Sequence, residues 1–457
     1  MPEHQIIAML SDFFNPKTAA IIGASSNPKK FGHTILKNFI EDFKGETFAV
    51  NPNEKEVLNK KCYASVQDIK KGVDLAVVAV PPSFSNNVVA ECVKKKVGAV
   101  VLITAGYREI GGEGIGREEE LKNLIAGTKT RIIGPNCLGI YDTSSCVNTM
   151  FLPEYKLQRP PAGKIAFISQ SGALGSAVLD WAATEHIGLS KFISYGNRAD
   201  VDEVDLLEYL RKDRNTESII LYIEGPRDGR ALMQAIKNTV KTKPVVILKA
   251  GRSDAGQKAA ISHTGSLAGS YDVFEGAMKQ AGAILCNNME DMFDYGRVLA
   301  YQPRLKGKKI GIVTNGGGFG ILCTDACIRH GLELAEFSKE TVGSILPVMP
   351  KNYSQIRNPL DLIGDATADR YAAALNALIK DRNVDGIIAL SLLQTSTLGP
   401  EITDVLLDAN SKSNKPIVFA ATGGEYTQIL LRTLEKDGLP TYPSPERAVK
   451  AMSVLAR

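Results

Sequence analysis

The chain has 457 residues, of which 44% are hydrophobic and 23% charged, a composition typical of a globular protein with about three domains. Its 54 basic and 50 acidic residues leave a net charge of +4, which argues against a nucleic-acid partner. The N-terminus lacks a signal-peptide pattern, no apolar run approaches the roughly 20 residues of a membrane span, and the seven scattered cysteines lack zinc-like pairs. We therefore expect a soluble, cytoplasmic protein with no membrane contact and no metal site of its own.

Residues 1–142 are predicted to form a doubly wound parallel sheet, because short apolar strands alternate there with amphipathic helices. Ligands of such sheets bind at the carboxyl ends of the strands. Those ends carry residues 23–26, 51–53, 81–82 and 105–106.

The first turn, GASSNPKKFG, resembles a Rossmann phosphate loop but departs from it. Its glycines fall at Gly23 and Gly32, so GxGxxG is absent, and the second strand ends without the acidic residue that binds a nicotinamide ribose. Both departures argue against NAD. A nucleotide-like ligand with phosphates remains compatible, since helix N-terminal amides and Lys29 or Lys30 can bind anions.

Residues 143–162 carry three prolines and little periodicity, and we interpret them as a linker before a second domain, residues 163–305. This domain opens with a strand, the small-residue turn Ser171–Gly172 and a helix, an order that directs backbone N–H groups at an anion. A later strand ends at Glu224. The strand KPVVILKA then leads into residues 251–270, a loop rich in small residues that carries His263 and suits a residue that must move.

Residues 306–457 are predicted to form a third domain that repeats the second. The sequence GKIAFISQSGALG is repeated as KKIGIVTNGGGFG at an offset of 145 residues. In this alignment the turn at Gly316, Gly317 and Gly318 corresponds to the turn at Ser171–Gly172. The third domain lacks the long loop and its histidine, and it has Leu392 or Leu393 where the second has Glu224. One copy therefore carries the chemistry and the other contributes only a helix terminus.

These features combine into a hypothesis of phosphoryl transfer. Two helix N-termini would suit a phosphate held from both sides, and His263 on its loop would suit a nucleophile that accepts the phosphoryl group. A carboxylate such as Glu224 would fix the imidazole tautomer and stabilise the developing charge.

The motifs IIGASSNPKKFG, GPNCLG, SQSGALG, SHTGSLAG, NGGGFG and NPLDLIGDA together resemble the α subunit of ADP-forming acyl-CoA synthetases, relatives of the succinyl-CoA ligases. The resemblance covers essentially the whole chain. It implies a Rossmann-like CoA-binding domain followed by two flavodoxin-like ligase domains. It also implies that His263 is the phosphohistidine, that Glu224 is its partner, and that the turns at Ser171, Gly172, Gly316, Gly317 and Gly318 hold phosphate.

The same resemblance places coenzyme A in the first domain, at Gly23, Ser25, Asn53, Pro81 and Pro82, with Asn136 and Cys137 near the thioester. It implies that acyl-CoA, ADP and phosphate are converted to acid, ATP and CoA through an acyl phosphate. We find no GxxxxGK[ST] and no further domain that could be an ATP-grasp site before Arg457. Mg²⁺ and ADP or ATP are therefore expected on a separate ATP-grasp β subunit, in an α2β2 heterotetramer.

Three alternatives are each less consistent with the sequence. A non-catalytic CoA-sensing or regulatory module would make His263 dispensable and leaves its loop unexplained. A nicotinamide-dependent dehydrogenase would bind NADH rather than CoA in a thermal-shift assay. A succinyl-CoA ligase α subunit would lack the third domain. The sequence does not specify the acyl group.

Overall fold

Each of the three predicted α/β domains has its own sheet in the computed structural model, which describes residues 3–258, 270–351, 353 and 355–456. These sheets confirm the predicted fold class. The chain divides into two compact units. The first unit (Met1–Thr184 and Gly188–Met289) contains the first two sheets, and the second unit (Glu185–Ile187 and Glu290–Arg457) contains the third.

The first sheet has the strand order β3-β4-β2-β1-β5-β6-β7 and is parallel except at the β3–β4 pair. Strands β5 and β6 are buried at every residue, because helices cover both faces of such a sheet. The order reverses beside β1, which pairs with both β2 and β5, and a crevice is expected at this switch point. The elements are α1 (Glu3–Phe14), β1 (Thr18–Ile22), α2 (Phe31–Glu41), β2 (Glu46–Val50), β3 (Glu56–Val57), β4 (Lys60–Tyr63), β5 (Leu75–Val78), α3 (Pro82–Lys95), β6 (Ala99–Leu102), α4 (Glu113–Ile125) and β7 (Arg131–Ile133).

The second sheet has the order β14-β13-β12-β10-β11-β8-β9. Its elements are β8 (Gly139–Asp142), β9 (Val147–Asn148), β10 (Ala162–Ser169), α5 (Gly172–Thr184), β11 (Leu189–Ser194), α6 (Glu203–Leu210), β12 (Ser218–Ile223), α7 (Gly229–Thr239), β13 (Val245–Lys249), α8 (Tyr271–Gln280) and β14 (Ile284–Leu285). Strands β8 and β9 are antiparallel additions, and β8 ends at residue 142, where the sequence predicts a domain boundary. The boundaries at residues 142, 162 and 305 stay predictions.

The third sheet has the order β16-β15-β18-β19-β20, with β17 also paired to β15. Every pair in it is parallel. The elements are α9 (Met289–Tyr301), β15 (Lys309–Thr314), α10 (Gly317–Arg329), β16 (Glu333–Leu334), α11 (Lys339–Ile345), β17 (Leu360–Asp361), α12 (Ala368–Lys380), β18 (Gly386–Leu390), α13 (Ile402–Lys412), β19 (Ile417–Ala420), α14 (Glu425–Lys436), β20 (Thr441–Tyr442) and α15 (Pro445–Ser453).

The second and third sheets share one topology. Strands β14-β13-β12-β10-β11 correspond to β20-β19-β18-β15-β16 in the same spatial order, and helices α5 and α10 begin and end at positions 145 residues apart. The internal repeat that the sequence predicts is therefore confirmed.

A buried ion cluster holds the antiparallel strand β8 to the second sheet. Lys191 on β11 is 1% exposed, and its Nζ lies 3.1 Å from Asp142 and 2.9 Å from Asp213. Phe14 of α1 stacks on Tyr209 at 4.6 Å between ring centroids. None of the helices in the described ranges is both long and apolar enough to cross a membrane.

Candidate active site

A cavity of about 1710 Å³ lies in the first unit, at the strand ends of the first and second sheets. Ligand pockets typically measure about 300–1,000 Å³, so this cavity can accept an elongated ligand or two ligands together. It is lined by eight of the residues that the sequence singles out, namely Gly23, Ser25, Asn53, Pro81, Pro82, Ser171, Gly172 and Glu224.

The first-domain end of the cavity is a turn held by backbone and amide hydrogen bonds. Gly23 N donates to Val50 O at 2.9 Å, and Asn51 Nδ2 donates to Ala24 O at 2.7 Å. Asn53 N in turn donates to Asn51 Oδ1 at 2.9 Å. These bonds bring the ends of β1 and β2 together beside Ser25, as the parallel sheet requires.

Gly23 is required by this geometry. Its φ is +95°, in the region that favours glycine, and a Cβ there would lie 2.4 Å from Ala79 O. Gly32, at the start of α2, is as tightly packed, since its Cβ would lie 1.9 Å from Gly23 O. The two glycines of the turn therefore allow helix α2 to approach the end of β1.

Basic side chains surround the same cavity. Lys29 and Lys30 are exposed at its rim, as the sequence analysis anticipated for an anionic ligand. Sequence reasoning missed four further basic residues, because they come from loops and helices far apart in the chain; they are Arg108, Lys122, Arg198 and Arg227. Four glutamates also line the cavity, so the positive charge is partly balanced.

Asn136 and Cys137 line the cavity as well, and their different surroundings determine what each side chain can do there. Asn136 has φ +55° and its Nδ2 donates to Asn197 Oδ1 at 3.2 Å. Cys137 is 5% exposed, and its thiol donates to Leu102 O at 3.4 Å. Burial raises the pKa of the Cys137 thiol to about 12, so this group stays protonated and is unsuited to nucleophilic chemistry.

The second-domain end of the cavity is the N-terminus of helix α5. Ser171 caps it, because its Oγ accepts a hydrogen bond from Leu174 N at 3.3 Å. The Ser169 hydroxyl donates to Ser171 O at 2.7 Å and fixes the turn. The remaining first-turn N–H groups lack partners within the helix, and together with the helix dipole they favour an anion there.

Glu224 follows the end of strand β12 and is 8% exposed. The Tyr222 hydroxyl donates to Glu224 Oε1 at 3.5 Å, and Lys249 Nζ donates to the Glu224 carbonyl oxygen at 2.7 Å. The pKa of Tyr222 is raised to about 12, mainly by burial and to a smaller extent by the negative charge of Glu224. Glu224 is thus a largely buried residue in the wall of the cavity, where its carboxylate can orient a nearby donor.

Gly316, Gly317 and Gly318 belong to the second unit, where Gly316 precedes the first residue of α10, and among the described residues no side chain caps that helix. A Cβ on Gly318 would meet no atom within 4 Å. His263 lies outside the described residues.

Two family models match the first unit. One, described as a CoA binding domain, matches residues 17–143, and the other, described as a succinyl-CoA ligase like flavodoxin domain, matches residues 162–299. The two matches correspond to the first and second sheets.

Similar proteins extend the resemblance over the whole chain. The α subunit of ADP-forming acetate–CoA ligase II from Pyrococcus furiosus is 41% identical, over 98% of this chain and 98% of that subunit. The ADP-forming acetate–CoA ligase I of Archaeoglobus fulgidus is 42% identical over 97% of this chain, which spans only 63% of that longer protein.

A solved structure gives the same result at the level of the fold. The chain matches an acetyl-coenzyme A synthetase 1 of Candidatus Korarchaeum cryptofilum, described as dinucleotide forming and in complex with phosphate and ADP. The TM-score is 0.91 at 36% identity, and the match covers 98% of this chain and 96% of that one. The resemblance noted in the sequence is confirmed: this chain belongs to the family of the ADP-forming acetate–CoA ligase (acyl-CoA synthetase) α subunits.

Proposed function

We propose that the chain is the catalytic α subunit of an ADP-forming acyl-CoA synthetase, which converts acyl-CoA, ADP and phosphate to acid, ATP and CoA. One observation carries the proposal: a single cavity is lined both by the strand-end loops of a CoA-binding domain and by the N-terminus of α5 beside Glu224. The names of the similar ligases support a catalytic role rather than a CoA-sensing one.

Coenzyme A would lie along Gly23, Ser25, Asn53, Pro81 and Pro82, with its phosphates near the exposed lysines of the rim. An elongated ligand in this position would direct its thioester toward Asn136 and the turn of α5. The lining of the cavity supports this orientation, because it includes strand-end residues of both the first and the second sheet.

The first step would be attack of phosphate on the thioester carbonyl. The new C–O bond forms as the C–S bond breaks, so an acyl phosphate and free CoA result. Phosphate would be held at Ser171 and Gly172, and we propose that Gly316, Gly317 and Gly318 hold it from the other side. Preorganised N–H groups of this kind stabilise the charge that develops on the oxygens.

His263 would then accept the phosphoryl group and release the acid, with Glu224 holding the imidazole in the reactive tautomer. The phosphohistidine would pass the group to ADP. We propose that ADP or ATP and Mg²⁺ bind to an ATP-grasp β subunit, that the assembly is an α2β2 heterotetramer, and that it works in the cytoplasm.

Glu224→Gln tests this assignment in the chain assembled with its β partner. The amide keeps the shape but removes the charge that stabilises an imidazolium, so ATP formation from acetyl-CoA, ADP and phosphate is expected to fall by about 10²-fold or more. Glu217→Gln is the matched control, since Glu217 is exposed and directly precedes the first residue of the same strand.

Wild-type rates in the Glu224→Gln variant would remove Glu224 from the mechanism. Absence of ATP formation in the wild-type complex, together with CoA binding that changes the partner's activity, would favour the regulatory alternative.

A further inference from the structure

Gln170 lies between the strand β10 and the helix α5, and it is 8% exposed within the wall of the cavity. Its side-chain oxygen accepts two backbone hydrogen bonds, from Glu224 N at 2.9 Å and from Gly225 N at 3.3 Å. The side chain therefore joins the segment before α5 to the segment after β12, and the two residues Gln170 and Glu224 are 54 positions apart in the sequence.

Both of these partners are N–H donors, and this determines the orientation of the amide. An amide carries an oxygen that only accepts and an NH₂ group that only donates, so a flip of Gln170 would direct NH₂ at two N–H groups. Oε1 must face β12, and Nε2 must face away from it. In the described part of the chain, Nε2 has no hydrogen-bond acceptor, although the side chain lines the cavity.

The internal repeat offers a comparison within the same chain. Asn315 stands 145 residues after Gln170, and its Oδ1 accepts from Leu392 N at 2.7 Å, in the position that corresponds to Glu224. Its Nδ2 donates to Leu392 O at 3.2 Å, so this shorter amide satisfies both of its ends on the backbone. The link between strand and helix is common to both copies, whereas the unpartnered donor occurs at Gln170.

We propose that Gln170 has two roles: its oxygen positions Glu224, and its NH₂ group donates to an oxygen of inorganic phosphate bound at the N-terminus of α5. This inference rests on the proposed function, which places phosphate at Ser171 and Gly172. The donor comes from the residue directly before the cap, so it adds a neutral side-chain hydrogen bond to the N–H groups of the helix.

Gln170→Glu separates the two roles. A carboxylate keeps an acceptor for Glu224 N and Gly225 N but replaces the NH₂ donor with an anionic oxygen that faces the cavity. Gln170→Ala removes both roles. Gln234→Glu makes the same chemical change on the exposed face of α7, where Gln234 bonds only its neighbour Asn238, and serves as the control.

The measurement is the steady-state rate of the complete complex as a function of inorganic phosphate and, separately, of acetyl-CoA. The KM for phosphate is expected to rise by about tenfold or more in Gln170→Glu, because hydrogen bonds to charged groups are the stronger class. The KM for acetyl-CoA is expected to stay within about twofold, and Gln234→Glu is expected to match the wild type.

A Gln170→Glu complex with the wild-type KM for phosphate would overturn the donor role. If the Gln170→Ala complex then had a reduced steady-state rate, only the positioning role would remain. The second measurement needs no turnover: millimolar inorganic phosphate should raise the Tm of the wild-type chain and fail to raise that of Gln170→Glu. An inactive wild-type complex would count against the proposed function. Equal phosphate shifts in both proteins would count against the inference alone.

Discussion

Gly23 determines, at the scale of one residue, how closely the end of β1 approaches β5. Its positive φ and the contact with Ala79 O leave no space for a side chain. A larger residue must move the turn that carries Ser25, and the turn is one wall of the cavity.

Gly23→Ala is expected to destabilise the chain by about 1–3 kcal/mol, the cost of a strained backbone conformation. Displacement of the turn should also weaken CoA binding by about tenfold. Guanidinium unfolding and calorimetric titration with CoA measure the two effects.

Gly116→Ala is the control for that variant. Gly116 lies inside α4, and a Cβ there meets no atom within 4 Å, so alanine should stabilise the chain by about 0.5–1 kcal/mol and leave CoA binding unchanged. Unaltered CoA affinity in Gly23→Ala would show that the turn is not part of the CoA site.

Residues at strand ends were predictable from the sequence, whereas the partners of buried side chains were not. Apolar runs followed by small residues located Gly23 and Ser171, because the carboxyl ends of parallel strands share one edge. No sequence pattern indicates that Gln170 bonds the backbone of Glu224, since that contact depends on which strand lies beside β10. The role of His263 stays a prediction.

At the scale of one element, the ion cluster around Lys191 connects strand β8, which the sequence did not predict, to the second sheet. Strand β8 has four residues and β9 has two, so both are too short for an alternating hydrophobic pattern to be recognised in the sequence. Strand β8 lies beside β11, and Asp142 on β8 pairs with Lys191 on β11, a contact between residues 49 positions apart in the chain.

Asp213→Asn should destabilise the chain by about 3 kcal/mol at pH 7, because it removes one of two carboxylates from a buried lysine. Burial acts to raise the pKa of Asp213, but Lys191 and the hydrogen bond from Thr216 outweigh it and hold the pKa below the ordinary 3.8. A depressed pKa contributes stability above the unfolded-state value and loses it as the pH falls through the folded-state value.

The difference in the free energy of unfolding between Asp213→Asn and the wild type should therefore be largest at neutral pH and should shrink below about pH 4. Urea unfolding across this range measures it. Asp408→Asn, in an exposed pair with Lys412, should change stability by less than about 1 kcal/mol. An unchanged difference down to pH 3 would mean that the carboxylate charge of Asp213 is not what stabilises Lys191.

At the scale of the whole molecule, the chain contains two copies of one module that differ in chemistry. Both copies present the N-terminus of a helix, at α5 and at α10, and both join it to a neighbouring strand through an amide. Only the second domain combines this geometry with Glu224 and with the segment that carries His263. We propose that a partner subunit supplies the nucleotide to this carrier.

The claim that His263 carries the phosphoryl group is tested most directly by phosphorylation of the chain with labelled ATP in the presence of the β partner, in the wild type and in His263→Ala. We predict label that is stable in base and labile in acid, as expected for a phosphohistidine, and its loss in His263→Ala. Label that persists in the variant, or no label with an active partner, would contradict a phosphoryl carrier at His263.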